Sequence, residues 1–378
     1  MPNDKPIAAK YLENSKSETI GGTLLLMVGP QGSGKTVALW KLAMTDFKQN
    51  RVCSWRGQTN CSWIGLAANG LPITLWMHET IEDYEFVLRG SKREGIDARK
   101  INIEEAEDVD VEIRQFSDPE ELVEDLEIDR INVHYIPGEK SENEAEFYFF
   151  LDMERRLAKA LNEREWGDPV SKFDDEFGNV GTEDDSYPYH RLVKYAIPNE
   201  YADFRKNGIN ERAASHSTSE IHYKLWQVKF NNLLYMSGAK VKTRKTPEVD
   251  QRKVNNLPQG HFVISEGIFD KDHFEKPTLP HEGISWMPKQ KSRRLNVRLE
   301  YDIPNIVPEK EKTEVELDDS VLDRTDLDEF INTRTAADIL DCSNSTVRRR
   351  IRQGKVPAIK VNKRHLLSIE QILEMAEN

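Results

Sequence analysis

The feature that most constrains this chain is an apolar run, Thr23–Val28 (TLLLMV), that breaks into Gly29-Pro30-Gln31-Gly32-Ser33-Gly34-Lys35-Thr36 and resumes with helical periodicity from Val37 to Phe47. An unbroken apolar run predicts a strand buried on both faces, and such strands belong to parallel sheets covered by helices. The three glycines between run and helix allow a backbone turn that side chains would obstruct. Strand, turn and helix in this order fit the spacing G-x-x-x-x-G-K-[ST].

That spacing has a chemical meaning. Backbone N–H groups in a glycine-rich turn can point inward at phosphate oxygens, and the following helix aims its positive end at the same place. Lys35 would put a compact charge on the β- and γ-phosphates, and the Thr36 hydroxyl is a hard oxygen suited to Mg²⁺. The expected cofactors are therefore ATP and Mg²⁺, held by Gly29, Pro30, Gln31, Gly32, Ser33, Gly34, Lys35, Thr36 and Val37.

Hydrolysis also needs carboxylates. Val170-Ser171-Lys172-Phe173-Asp174-Asp175-Glu176 is a short strand running into three acids. Asp175 is expected to anchor Mg²⁺ with Thr36, and Glu176 to orient and deprotonate the attacking water. Ser171 and Lys172 interrupt the apolar pattern, so a shifted register would put Asp174 at the metal instead. The run Phe147–Leu151, ending at Asp152 with Glu154 close behind, is a rival, but its continuation is helical in pattern. Ala213–Ser217 closes another strand, where His216 or Ser217 would touch the γ-phosphate. Arg205, in a polar helix end, reads first as a solvated surface residue and would serve as a trans-acting finger only if subunits form a ring.

The remaining pattern alternates strands with helices. Strands are expected at Arg51–Trp55, Pro72–Trp76, Val111–Phe116, Arg130–Ile136, Pro169–Phe173, Asn210–Ser217 and Asn232–Ser237. Helices are expected at Ile81–Arg89, Pro119–Leu126, Glu144–Arg164 and Ser219–Lys229, with another ending at Tyr201–Asn207. The fold class is α/β: a mostly parallel P-loop sheet flanked by helices. Residues 1–20 read as an arm, 21–300 as the nucleotide domain and 301–329 as an acid-rich linker. An acid-rich stretch at about 101–129 reads as a solvated insertion.

The net charge of −13 rules out a general nucleic-acid coat, so any DNA contact must come from a local basic patch. Three scattered cysteines form neither a disulfide framework nor a zinc site and imply a reducing, cytoplasmic setting. No apolar signal core opens the chain and no 18-residue apolar run follows, so no membrane insertion is expected. The patch lies at the end of the chain. Cys342–Leu367 holds eight Lys and Arg and no Asp or Glu. Thr333–Leu340 has Ala336, Ala337 and Leu340 on one helical face, and Asp341-Cys342-Ser343 is a turn. A second helix begins near Asn344 or Ser345, with Val347 and Ile351 inward and Thr346, Arg348, Arg349, Arg350 and Arg352 outward. A hairpin follows at Val356–Val361 and His365–Leu367, and a closing helix at Ile369–Ala376.

Two resemblances follow. Residues 20 to 245 resemble the additional-strand P-loop ATPases of the FtsK/HerA superfamily, which includes conjugation, viral-packaging and zonular-occludens-toxin-like proteins. The P-loop is the specific motif; the rest of the likeness is order and spacing. Residues 330–378 strongly resemble the excisionase/MerR-like winged helix-turn-helix, matching A-A-x-x-L, S-x-S-T-V-R-R and the basic hairpin. The first resemblance implies a RecA/FtsK-like sheet and a homo-oligomeric ring, often a hexamer, around DNA. The second implies that Ser345, Thr346, Arg348, Arg349, Arg350 and Arg352 enter a major groove while Lys363 and Arg364 follow phosphates. Together they imply a DNA-translocating, packaging or transfer ATPase of a mobile element. A nucleotide-controlled DNA-binding regulator, or a kinase with a regulatory tail, fits the same residues.

Overall fold

The computed structural model describes residues 22–89, 97–105, 109–181, 192–226, 230, 232–241, 249–264, 272–274, 297–301, 330–332, 336, 340, 347, 356, 359–361 and 364–368. The chain divides into two units, Met1–Pro308 and Glu309–Asn378.

In the first unit, strand β1 (Leu24–Val28) is entirely buried, as its apolar sequence requires. Its alternation sorts Leu25 and Met27 into one apolar core and Leu24, Leu26 and Val28 into the other. Helix α1 (Lys35–Lys48) buries Ala38, Leu39, Leu42 and Ala43, spaced three and four residues apart, against the Leu25 side. Strand β2 (Val52–Arg56), the short helix α2 (Ile64–Ala67) and strand β3 (Ile73–His78) follow. Three strands then form a small antiparallel sheet in the order β13-β4-β5: β4 (Tyr84–Leu88), β5 (Arg99–Ile101) and, much later, β13 (Val297–Tyr301).

The chain returns to the large sheet with β6 (Val111–Phe116), helix α3 (Pro119–Glu124) and β7 (Ile131–Tyr135). Helix α3 starts with Pro119 after Asp118, whose carboxylate accepts from the Glu120 N–H at 2.9 Å. Helix α4 (Glu144–Glu163) is capped likewise by Asn143 and buries Phe150, Leu151, Leu157, Ala158 and Leu161 on the Leu26 side. Strand β8 (Val170–Asp174), helix α5 (Ile197–Phe204), strand β9 (Asn210–Ser215), the single-turn helix α6 (Tyr223–Trp226) and strand β10 (Asn232–Met236) complete the parallel part. After helix α7 (Gln251–Asn255), strands β11 (His261–Ile264) and β12 (Asp272–His273) run antiparallel at one edge.

The order across the ten-stranded sheet is β12-β11-β10-β1-β9-β8-β2-β7-β3-β6. The eight strands from β10 to β6 are all parallel. The expected α/β class is therefore the observed one. Strand β9 lies between β1 and β8, so one strand separates the glycine-rich turn from the acid-ending strand.

Three expectations need correction. Ile81–Arg89 is not a helix but contains strand β4: Phe86 and Leu88 alternate inward, a period-two pattern outweighing the local charge. The acid-rich stretch 101–129 does not project from the sheet. Its Val111–Phe116 is the outermost parallel strand, with Val111 buried in one core, Phe116 buried in the other and Glu112 exposed. Ser219–Lys229 holds only a 3₁₀ turn (Thr218–Glu220) and α6 among its described residues, because the cap formed by Ser217 and Glu220 closes the turn locally.

The Leu26 side also contains charge. Lys172 on β8 is fully buried and pairs with Asp174, Glu154 (3.5 Å) and the Tyr201 hydroxyl (3.0 Å). Its cross-strand neighbour is Glu211 of β9. Burial first, and the nearby Asp174 carboxylate second, push the Glu211 carboxyl well above the usual carboxylate range, against the pull of Lys172.

In the second unit, strands β14 (Phe330–Asn332), β15 (Ile359–Val361) and β16 (Arg364–Ser368) form an antiparallel sheet in the order β14-β16-β15. The hairpin occurs where it is expected; β14 is an added strand. Ala336, Val347 and Val356 are buried. No helix of the described residues is long and apolar enough to cross a membrane.

Two stability outcomes follow. Leu39→Ala should destabilise the first unit by about 2–5 kcal/mol, the usual cost of a truncated core leucine, read from urea unfolding followed by tryptophan fluorescence. A raised folded pKa at Glu211 means stability present below the unfolded pKa and lost as pH rises through the folded one. Glu211→Gln should therefore flatten the alkaline fall in melting temperature; curves parallel to the parent's would dismiss this account.

Candidate functional site

Apart from Arg205, the candidate groups of the first unit lie just past the carboxyl ends of parallel strands, where open α/β sheets leave a crevice. The turn after β1 is shaped by Gly34, which has φ +104° and would bring a Cβ within 3.1 Å of the Gly260 Cα. A side chain there would be strained twice, by backbone angle and by contact. The loop is also held from outside: the Gly260 N–H donates to the Ser33 carbonyl at 3.0 Å, and the Gln259 amide donates to the Gly32 carbonyl at 2.6 Å. Gln259 and Gly260 belong to the turn between α7 and β11. They are 227 residues from the loop, too far for any local pattern to signal them.

Lys35 begins α1 and folds back over its own loop. Its ammonium donates to the carbonyls of Gly29 (2.6 Å) and Pro30 (3.1 Å). It also lies 3.4 Å from His216 Nδ1. An ammonium can only donate, so this contact is a hydrogen bond where His216 Nδ1 carries no proton. Burial lowers the Lys35 pKa from its ordinary value, with Asp175, Glu220 and Glu176 opposing.

The Thr36 hydroxyl donates to the Asp175 carboxylate at 2.8 Å. Strand parity explains why Asp175 is there rather than Asp174. Phe173 points into the core that α1 covers, and Asp175, two residues on, shares its side. Asp174 points to the α4 side, where Lys172, the Tyr201 hydroxyl (3.1 Å) and Arg56 Nε (2.8 Å) bind it. The shifted register is therefore not adopted. Burial raises the Asp175 pKa, and the Thr36 hydrogen bond opposes that rise. The cationic partners of Asp174 hold it far below the usual range despite burial. The rival pair is elsewhere: Asp152 binds Arg155 on α4, and Glu154 joins the Lys172 cluster.

Glu176 has a left-handed backbone, φ +57°, and its carboxylate pairs with Lys140 at 2.8 Å. Burial would raise its pKa; the Lys140 contact outweighs burial and holds it below the ordinary value. His216 follows β9 directly. Its turn is fixed by Glu220, which accepts from the Ser215 hydroxyl (2.9 Å) and the Ser217 N–H (3.2 Å). The Ser217 hydroxyl accepts from the Ser219 N–H, so His216 and not Ser217 meets Lys35. Arg205 is exposed at the opposite edge of the sheet, its carbonyl accepting from Gly22 N–H below β1.

Three further residues, Arg56, Gln58 and Lys140, meet the acidic segment, and nothing in the local sequence marks them. Arg56 ends β2 and Gln58 follows it; Glu139 and Lys140 follow β7. Glu139 accepts from Arg56, from Gln58 (3.3 Å) and from Asn179 (2.9 Å). Gly57 is required between Arg56 and Gln58, because a Cβ would meet the Tyr135 ring at 2.7 Å. A cavity of about 310 Å³ opens beside this group, lined by Thr59, Glu139, Lys140, Arg298 and Tyr301.

Ser345, Thr346, Arg348, Arg349, Arg350, Arg352 and Lys363 lie outside the described residues, and of Arg364 only the strand backbone is described.

Residues 330–378 match the family model described as a helix-turn-helix domain. No curated protein matches the chain by sequence. Among solved structures, the chain is similar to the genome packaging NTPase B204 from Sulfolobus turreted icosahedral virus 2 in complex with AMPPCP. That similarity has 10% identity and a TM-score of 0.39, over 66% of this chain and 97% of that one. The same NTPase in complex with AMP gives 9% identity and a TM-score of 0.37, over 66% and 96%. A bacterial conjugative coupling protein, TrwBdeltaN70, gives 11% identity and a TM-score of 0.43, over 72% and 92%.

Gly34→Ala should weaken triphosphate binding at least tenfold, since its φ alone costs about 1–2 kcal/mol in a side-chain-bearing residue. Calorimetry with Mg-ATP measures this; affinity equal to the parent's would contradict the cradle geometry.

Proposed function

We propose that this chain is a Mg-ATP hydrolase that acts with duplex DNA, a motor moving or remodelling DNA for a mobile element. The observation that carries the reading is the meeting of Lys35, the Thr36–Asp175 pair, Glu176 and His216 at the carboxyl edge of a sheet in which β9 separates β1 from β8. The intervening strand supports the additional-strand ATPase resemblance, and the basic helix-turn-helix segment supports duplex DNA as partner. A homo-oligomeric ring belongs to the same reading.

On this reading we assign the roles of the individual residues. Amides of Gly32–Thr36 cradle phosphate oxygens. Lys35 exchanges the Gly29 and Pro30 carbonyls for β- and γ-oxygens, a stronger charge-assisted pairing. Thr36 and Asp175 are a hard-oxygen pair that fits Mg²⁺, which when bound would shield phosphate charge. Glu176 is ionised and accepts the proton of the attacking water. His216, already against Lys35, reports whether the γ-phosphate is present. For the second unit, the reading has the arginine-rich segment enter the major groove while Lys363 and Arg364 bind phosphates.

One observation favours a nucleotide-controlled regulator instead. The Glu176 carboxylate is engaged by Lys140, an arrangement suited to slow turnover. Rates decide between the two. A motor should hydrolyse ATP several-fold faster with duplex DNA; a regulator should not respond in rate but should change its DNA affinity with nucleotide. Lys35→Ala should lower turnover about 10²–10³-fold, as losing one preorganised charge does, while the fold and tail-dependent DNA binding persist. Deleting 330–378 should leave basal hydrolysis intact and weaken duplex binding, with a smaller salt dependence. Undiminished duplex affinity in the shortened chain would refute the tail's role.

A further inference from the structure

We infer that Arg56 is a positioning residue that sets the Asp175–Glu176 segment for turnover by gripping its main chain from beneath. The inference rests on the hydrolase reading above and extends it to a residue with no expected role.

Arg56 closes strand β2 and is 1% exposed. Burying a guanidinium is costly unless its donors are met. Two interactions satisfy its charge: Nε donates to Asp174 Oδ1 at 2.8 Å, and Nη1 pairs with Glu139. Those two contacts leave the Nη2 donors still to be met. Nη2 donates to two successive carbonyls, Asp175 O at 2.7 Å and Glu176 O at 3.1 Å. The Gln58 amide donates to the same Asp175 carbonyl. These carbonyls lie in the peptide planes on either side of the Glu176 Cα, so holding both fixes the direction in which the Glu176 side chain leaves the chain.

The backbone needs such a grip. Glu176 takes φ +57° and ψ +46°, a conformation that costs a side-chain-bearing residue about 1–2 kcal/mol and persists only where the surroundings over-determine it. The grip meets Asp175 and Glu176 at their carbonyls, leaving the Asp175 carboxylate to Thr36. Only an arginine fits. Its planar fork spans a carboxylate and two carbonyls at fixed angles, which a lysine ammonium cannot do. Glu139 supplies the counter-charge and is held in turn by Asn179, downstream of the gripped segment.

The grip should appear in kcat rather than in nucleotide affinity. Arg56→Lys keeps the charge and loses the fork. It should lower kcat at least tenfold, while Kd for Mg-AMPPNP, measured by calorimetry on the full chain, stays within threefold. Gln58→Leu, which removes only the second donor to the Asp175 carbonyl, should lower kcat several-fold with the same unchanged Kd. An Arg56→Lys kcat within twofold of the parent, or kcat, affinity and melting temperature falling together, would overturn the assignment. If Arg56→Lys does not fold, Gln58→Leu and Glu139→Gln carry the test, and parental kcat in both overturns it. A parent chain that binds Mg-AMPPNP but never hydrolyses ATP removes the hydrolase reading and this inference together. Turnover in the parent without a kcat change in the variants removes only this inference.

Discussion

The hydrogen bond from the Thr36 hydroxyl to the Asp175 carboxylate joins the first turn of α1 to the end of β8, two strands away and 139 residues later. Any shift of one strand relative to the other would break it. So would a one-residue slip of β8, because parity would turn Asp175 away and bring Asp174 round. Sheet register, helix start and loop conformation must therefore agree at once. The eight parallel strands provide that agreement, since each side of the sheet is covered by its own apolar core and no strand can slide without exposing it.

Beneath this contact the chain buries more charge than folding requires. Lys172, Asp174, Glu154, Glu211 and Arg56 are all 0–1% exposed. Replacing such groups with apolar residues of similar volume often leaves a protein no less stable, so stability alone is a poor reason to keep them. Their geometry suggests a different purpose. Lys172 and Arg56 converge on Asp174, which thereby becomes a rigid post; Arg56 extends from that post to the main chain of Asp175 and Glu176. The ionic cluster transmits the stiffness of β2 and β8 to the segment that meets the glycine-rich loop.

The same cluster explains why β8 is hard to read. Ser171 and Lys172 interrupt what would otherwise be an apolar strand leading to acids. Each interruption has a partner from distant chain: Arg51 Nε donates to Ser171 at 2.8 Å, and Lys172 reaches α4 and α5 through Glu154 and Tyr201. Strand β4 misleads for a related reason. Its charges look helical in isolation, and its partners, β13 and β5, come from separate parts of the chain. Arg56, Gln58, Lys140 and Gln259 carry no local signature, because their importance lies wholly in which loops converge.

Local chemistry was sufficient for the glycine turn, its lysine and threonine, the parallel strands that feed it and the basic helix-turn-helix segment. Each is specified by residues within a few positions of one another, through φ, periodicity and charge. Strand order was not so specified: that β9 stands between β1 and β8, which of two adjacent aspartates meets Thr36, that His216 rather than Ser217 faces Lys35, and that Arg56 grips the acidic segment. Those outcomes depend on pairing between segments from about 40 to nearly 190 residues apart, and only packing of the whole sheet selects among the pairings that local pattern allows.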